Sequence, residues 1–264
     1  MIPSHVTVTL STTPRRVDKI FPTLYSLFTQ TRPPDEIILN IPTFCHRMDL
    51  GLDALPLFLY NMEKRDQIKI NFTKDYGPAT KFYPTIQKIE KSKNHFLIWL
   101  DDDILYHNML IEELVNNCPV GAAISPTGFV MLPNHHKMIL KHLAEVDIVE
   151  GWGGVCIRTS DLPCLDNIWS SRPYNTLTFS EKCAWHSDDY IMSRTLQRNG
   201  IKTVVCKTNK LDRFMSKPLN HGLALDALQN NVTTGGHHNA YSVLERTARF
   251  DALINELKNS QKRE

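Results

Sequence analysis

Phe96-Leu97-Ile98-Trp99-Leu100-Asp101-Asp102-Asp103 runs from five apolar side chains straight into three carboxylates. The apolar run predicts a buried strand. The carboxylates then stand at its carboxyl end, the edge where open α/β sheets bind ligands. Three adjacent like charges raise the energy there unless a cation neutralises them. Hard oxygen ligands suit Mg²⁺ or Mn²⁺, usually held together with substrate phosphates. A plainer reading makes the run a strand end before a helix, with Asp103 or Asn108 as the capping residue.

Working outward, Val6 to Ser11, Glu36 to Ile41 and Ile68 to Phe72 read as further strands. Thr12-Thr13-Pro14-Arg15-Arg16 is a turn into a helix carrying Ile20, Leu24, Leu27 and Phe28 on one face, stopped at Thr31-Arg32-Pro33-Pro34. Helices are expected around Leu52 to Glu63, from Ala79 to Lys91 after the Asp75-Tyr76-Gly77-Pro78 loop, and from Asn108 to Asn116. A short strand from Gly121 to Ser125 follows. This alternation predicts an α/β fold with a mostly parallel sheet flanked by helices. From Gly128 the pattern loosens into short strands and loops rich in Trp, Gly and Pro. A helix from Asp188 to Arg198 ends at the C-cap pair Asn199-Gly200, then a strand runs from Ile201 to Cys206. Asn239 to Leu257 reads as an amphipathic helix with a basic tail. No repeat or low-complexity linker divides the chain, which predicts one continuous domain.

At 264 residues the chain can bury a full core. A net charge of +2, with basic residues not clustered, argues against a nucleic-acid surface. No stretch approaches the roughly 18 apolar residues of a membrane span, and the first ten residues lack the pattern of a signal peptide. A cytoplasmic protein is the expectation. The six cysteines form no C-x-x-C pair and no zinc-like array, so reduced and mostly buried thiols are expected. His135-His136, flanked by Pro133-Asn134 and lysines, reads as an exposed loop.

Several phrases, in order, resemble the GT-A glycosyltransferases of the family-2-like, nucleotide-sugar-dependent kind. They are the first strand with Ser11-Thr12-Thr13-Pro14-Arg15-Arg16, then Ser26-Leu27-x-x-Gln30-Thr31-x-Pro33-Pro34-x-Glu36-Ile37. Asp75-Tyr-Gly-Pro-Ala-Thr-Lys81, Trp99-Leu-Asp-Asp-Asp103, Gly151-Trp-Gly-Gly154 and Ser187-Asp-Asp-Tyr190 are similar to a smaller group of such enzymes in bacteria, algae and large algal DNA viruses. The resemblance covers roughly residues 5 to 205. It implies a GT-A type fold, with residues 1–127 as a nucleotide-sugar-binding half and 128–264 as an acceptor-binding half with the C-terminal helix.

The resemblance also implies roles. Asp101-Asp102-Asp103 matches the D-x-D motif, with Asp103 as the main ligand of Mn²⁺ or Mg²⁺ and Asp101 as the second aspartate; Asp101 or Asp102 would lie near the donor ribose or sugar. Thr12, Arg15 and Arg16 would grip the nucleotide, Asp75 the base or ribose, and Lys81 the diphosphate. Trp152 could stack on a sugar while Gly153 and Gly154, with Gly151, let the backbone approach the donor. Asp189, or its neighbour Asp188, is the expected catalytic base of an inverting transfer, and His186 could orient the acceptor. His221 is the first choice for a third metal ligand, ahead of His237 and His238.

Each position has a structural reading too. Arg15 and Arg16 could be solvated helix-start residues, Lys81 a surface lysine, Trp152 a buried turn anchor, and Ser187-Asp188 a helix cap. The leading expectation is an inverting, metal-dependent transferase moving a sugar from a nucleoside diphosphate, UDP favoured, to a hydroxyl of a glycan or glycoconjugate. A sugar nucleotidyltransferase is disfavoured, because such enzymes open with a Gly-rich phosphate loop and this chain has no glycine at residues 11–16. A catalytically inactive carbohydrate-binding module on the same fold is the alternative from another class.

Overall fold

The computed structural model describes residues 4–131, 137–139, 144–165, 173–206 and 217–218. Its strands and helices follow in chain order as β1 (His5–Ser11), α1 (Phe21–Phe28), β2 (Glu36–Pro42), β3 (Phe44–Cys45), β4 (Leu50–Gly51), α2 (Leu57–Lys64) and β5 (Lys69–Thr73). Then come α3 (Tyr83–Ile86), β6 (His95–Leu100), β7 (Ile104–Leu105), α4 (Leu110–Asn117), β8 (Ala122–Ser125) and β9 (Gly128–Met131). The remainder is β10 (Lys137–Ile139), β11 (Ala144–Glu145), β12 (Ile148–Val149), β13 (Val155–Arg158), α5 (Phe179–Trp185), α6 (Asp188–Arg198), β14 (Lys202–Val205) and β15 (Lys217–Pro218).

Eight strands form one sheet in the order β11-β14-β8-β13-β6-β1-β2-β5. The pairs β6-β1, β1-β2, β2-β5 and β14-β8 are parallel, as the alternation predicts, whereas β13 runs antiparallel between β6 and β8. Successive side chains point to opposite faces of a strand. Val6, Val8 and Leu10, with Phe96, Ile98 and Leu100, therefore share one face with α1 and α4 through Leu24, Leu27, Leu110 and Leu114. Leu97, Trp99, Val155 and Ile157 point the other way, onto Phe82, Tyr83, Tyr190 and Ile191.

Register places the site. Leu10 pairs with Leu100 in the parallel ladder, so the chain leaves β1 and β6 level with each other. Val155 pairs with Trp99 in the antiparallel ladder, so β13 begins at the edge where β6 ends. The Thr12–Arg16 turn and the Glu150–Gly154 turn are thereby both brought to the acidic run.

The helix expected from Ala79 to Lys91 is shorter. A 3₁₀ turn over Ala79–Lys81 precedes α3, which ends at Ile86. Pro84 explains the break, because a proline inside a continuous helix lacks the N–H and crowds the preceding turn. The stretch from Leu52 to Pro56 is irregular, and α2 starts at Leu57. The β3-β4 ribbon and α5 go beyond the sequence reading. By contrast α6 ends where Asn199-Gly200 predicts: Gly200 has φ 76°, its N–H reaches the Gln197 carbonyl, and Ile201 N–H reaches Leu196. Cys45, Cys118, Cys156 and Cys206 are buried free thiols, and Cys164 is exposed. The expected C-terminal helix lies outside the described residues. No described helix is long and apolar enough to cross a membrane.

Candidate active site

The acidic run is held by its backbone. Tyr106 Oη accepts from Asp101 N–H at 2.8 Å, and the Thr23 hydroxyl donates to the Asp102 carbonyl at 2.8 Å. Its side chains then meet cations from two other elements. Arg16, on the turn after β1, reaches Asp102 Oδ1 at 2.8 Å and Asp103 Oδ2 at 3.1 Å. Arg15 beside it is exposed. Thr12 is buried beside the run, and burial raises the Asp102 pKa overall although Arg16 pulls it down.

Lys81 is the centre of the second half. The Thr9 hydroxyl and Asn40 side-chain amide donate to its carbonyl at 2.6 and 3.3 Å, fixing the 3₁₀ turn over β1 and β2. Its side chain is only 6% exposed, and Nζ lies 2.7 Å from Asp101 Oδ1, 3.0 Å from Asp188 Oδ2 and 4.0 Å from Asp189 Oδ1. Burial opposes the ammonium charge, but the three aspartates together hold its pKa well above the ordinary value. Asp188 and Asp189 open α6, where the helix dipole favours negative charge. Asp189 Oδ1 also accepts from Gly151 N–H at 3.0 Å. Burial first, then Asp188, drives the Asp189 pKa well above the carboxylate norm.

The glycines of the Glu150–Gly154 turn each make room for a neighbour within the protein. A Cβ on Gly151 would stand 2.6 Å from Lys81 Nζ, and one on Gly153 2.2 Å from the Thr127 hydroxyl. Gly154 has φ +89°, and its Cβ would come 2.8 Å from Leu100 Cδ2. Gly154→Ala should therefore cost about 2–4 kcal/mol, from backbone strain plus overpacking, measurable by urea denaturation. Trp152 is half-buried against the core face that contains Leu100 and Leu110.

Asp75 and His186 each carry contacts within the protein. The Asp75 carboxylate accepts from His46 N–H at 2.7 Å and Gly77 N–H at 2.8 Å, tying the β3-β4 ribbon to the loop before the 3₁₀ turn. His186 is buried, with Nε2 3.1 Å from the Tyr174 hydroxyl. Burial above all, with Arg47 and Lys182 adding to it, lowers its pKa to about 3. An unfolded histidine titrates near 6.5, so on acidification the unfolded chain takes up a proton that the folded one refuses. Wild type should then lose about 2 kcal/mol relative to His186→Gln between pH 7 and pH 5, read by urea unfolding at both values.

No protein-family profile matches the chain, and no curated protein matches it in sequence. Solved structures do match. The 1–349 fragment of TarS from S. aureus superposes with a TM-score of 0.52 at 15% identity, over 93% of this chain and 74% of that one. The chain has a GT-A glycosyltransferase fold. The same fragment in complex with UDP-GlcNAc matches with a TM-score of 0.48 at 14% identity, over 76% and 55% of the two chains. The galactosyltransferase LgtC, in complex with donor and acceptor sugar analogues, matches with a TM-score of 0.39 at 10% identity, over 78% and 73%. The chain spans 35% of the longer TarS chain in a further crystal structure. Identities this low bear on the fold alone.

On this GT-A framework the acidic run and the Asp188-Asp189 pair converge from sequence positions far apart. Five carboxylates, Asp101, Asp102, Asp103, Asp188 and Asp189, gather against two cations, Arg16 and Lys81. Burial, then Asp102 and Asp101, push Asp103 up to about 7 although Arg16 pulls the other way. The charge deficit and the hard oxygen donors fit a divalent cation at Asp103 and Asp101, the two of the run whose side chains are 23% and 31% exposed. Among the described residues no three His, Cys, Asp or Glu side chains are placed so that they could hold one metal ion together, so the remaining ligands would be phosphate oxygens, water or residues outside that set. His221, His237 and His238 lie outside the described residues, as do His135 and His136. Pro218, three residues before His221, pairs with Ile104, the residue after Asp103.

Tyr106, Thr23 and Asn40 are the site residues that sequence reasoning misses. Thr23 and Asn40 act by bonding a backbone carbonyl across the fold, and Tyr106 by folding back onto the Asp101 backbone five residues before it, and no residue-type pattern signals either.

Proposed function

We propose that this protein is an inverting, metal-dependent glycosyltransferase that moves a sugar from a nucleoside diphosphate donor, UDP favoured, to a hydroxyl of a glycan or glycoconjugate. The observation that carries it is the meeting of Asp101 with Asp188 and Asp189 around one buried ammonium. That arrangement sets a charge-rich donor edge beside a carboxylate of raised basicity. In this reading residues 1–127 hold the nucleotide and residues 128–264 present the acceptor.

Asp103 and Asp101 would hold Mn²⁺ or Mg²⁺, with His221 the candidate third ligand. When bound, the ion supplies Lewis-acid neutralisation of the departing diphosphate. Arg16 lies beside the same carboxylates and offers a guanidinium to phosphate oxygens. Asp189 is favoured as the base over Asp188, because Asp188 is the one paired closely with Lys81. Asp189 takes the acceptor hydroxyl proton as that oxygen bonds to the anomeric carbon. The sugar–phosphate C–O bond breaks on the opposite face, and its electrons leave with the nucleoside diphosphate. Burial and then Asp188 raise the Asp189 pKa, which strengthens it as a proton acceptor.

The test is transfer or hydrolysis of UDP- and GDP-sugars with Mn²⁺, followed by NMR of the product anomer. Inverted configuration supports the proposal, and retained configuration overturns the mechanism. Nucleotide-sugar binding without turnover of any donor would favour the inactive module.

A further inference from the structure

We infer that Lys81 is a positioning residue for the acid pair rather than a ligand of the donor diphosphate. The inference rests on the transferase reading above. The geometry that carries it is enclosure. Nζ is ringed by Asp101 from the end of β6 and by Asp188 and Asp189 from the start of α6. Gly151 closes the remaining side so tightly that one added methyl there would stand 2.6 Å from Nζ and 2.9 Å from Asp189 Oδ1. The carbonyl of the same residue is pinned by Thr9 and Asn40, so the side chain starts from a fixed base.

A lysine that grips a diphosphate must present its ammonium to an open edge. This one is engaged by three carboxylates and its side chain is only 6% exposed, so it faces no open edge. The ammonium instead lets two adjacent aspartates stand together at one helix start, and it ties them to the strand that bears the acidic run. Without it, Asp188 and Asp189 repel each other, supported by the helix dipole, the Gly151 N–H at Asp189 and the Asp189 N–H at Asp188. Asp189 would then swing or protonate, and the proton-accepting oxygen would leave its place.

The experiment compares wild type, Lys81→Met, Asp188→Asn and the charge-balanced double variant. UDP affinity with Mn²⁺ is read by calorimetry, and kcat and donor KM by turnover. The expected result is a UDP Kd and donor KM within about threefold of wild type, with kcat reduced about a hundredfold in Lys81→Met. The two substitutions should be non-additive, the double variant being no slower than the slower single one. A loss of UDP affinity of about tenfold or more overturns the inference, as do additive effects on kcat. If Lys81→Met does not fold, the double variant carries the same test through its UDP affinity. A wild type that turns over no donor overturns the transferase reading and this inference with it. An active wild type whose Lys81 variants lose UDP affinity overturns this inference alone.

Discussion

Asp189→Asn should lower turnover by about 10³-fold and leave UDP affinity unchanged, as expected when a general base is removed. Asparagine keeps the shape and can still accept the Gly151 N–H that Asp189 Oδ1 accepts at 3.0 Å. It cannot take a proton from an acceptor hydroxyl. The substitution also relieves like-charge contact: burial and Asp188 both disfavour the ionised Asp189. Thermal stability should therefore hold or rise while activity falls, the pattern of a site residue kept at a cost in stability. Asp188→Asn makes the contrast. Asp188 Oδ2 lies 3.0 Å from a buried ammonium that keeps Asp101 and Asp189 as partners, so losing this one charge-assisted contact should cost about 1.5–3 kcal/mol. Steady-state kinetics and thermal unfolding of the two variants separate them. Full activity in Asp189→Asn with turnover lost only in Asp188→Asn would exchange their roles.

Asp103→Ala should abolish the dependence of turnover on Mn²⁺ and reduce the rate by a hundredfold or more, since Lewis-acid stabilisation is worth roughly several kcal/mol. The same variant has a stability signature. The folded carboxyl titrates at about 7, above the ordinary carboxylate value, because of burial and then Asp102 and Asp101. A raised folded pKa gives stability at low pH that is lost as pH rises through 7. Without added metal, Asp103→Ala should gain stability over wild type at pH 8 and little at pH 4. Manganese titrations of rate, with melting curves at both pH values, check both halves. Unchanged Mn²⁺ dependence would remove Asp103 from the metal site.

Much of the framework is legible from local pattern. The run Phe96–Leu100 announces the central strand, and Asn199-Gly200 marks the end of α6, because both signals lie within a few residues. Thr178 and Glu181 form a capping box that starts α5, with the Thr178 hydroxyl accepting from Glu181 N–H and the Glu181 carboxylate from Thr178 N–H. That S/T-x-x-E signal is local, and it lies in the stretch where the alternation of strands and helices loosens. The site itself is less legible. Asp101, Asp188 and Asp189 can be picked out as acids near strand and helix ends, but nothing local shows that Lys81 joins them. Their meeting depends on the level register of β1, β6 and β13, a property of the sheet as a whole. Asp75 and His186 carry internal contacts that residue type alone does not announce: two backbone N–H groups bond the first, and the second is buried beside the Tyr174 hydroxyl.

The most direct test of the account is a thermal-shift comparison of UDP, GDP and their sugars, each with and without Mn²⁺. A ligand that binds only the folded chain raises the Tm by mass action. The account predicts a shift with one nucleotide that requires the metal and disappears in Asp103→Ala. No shift with any nucleotide, with or without Mn²⁺, would contradict it and leave the three aspartates a structural feature of the strand end.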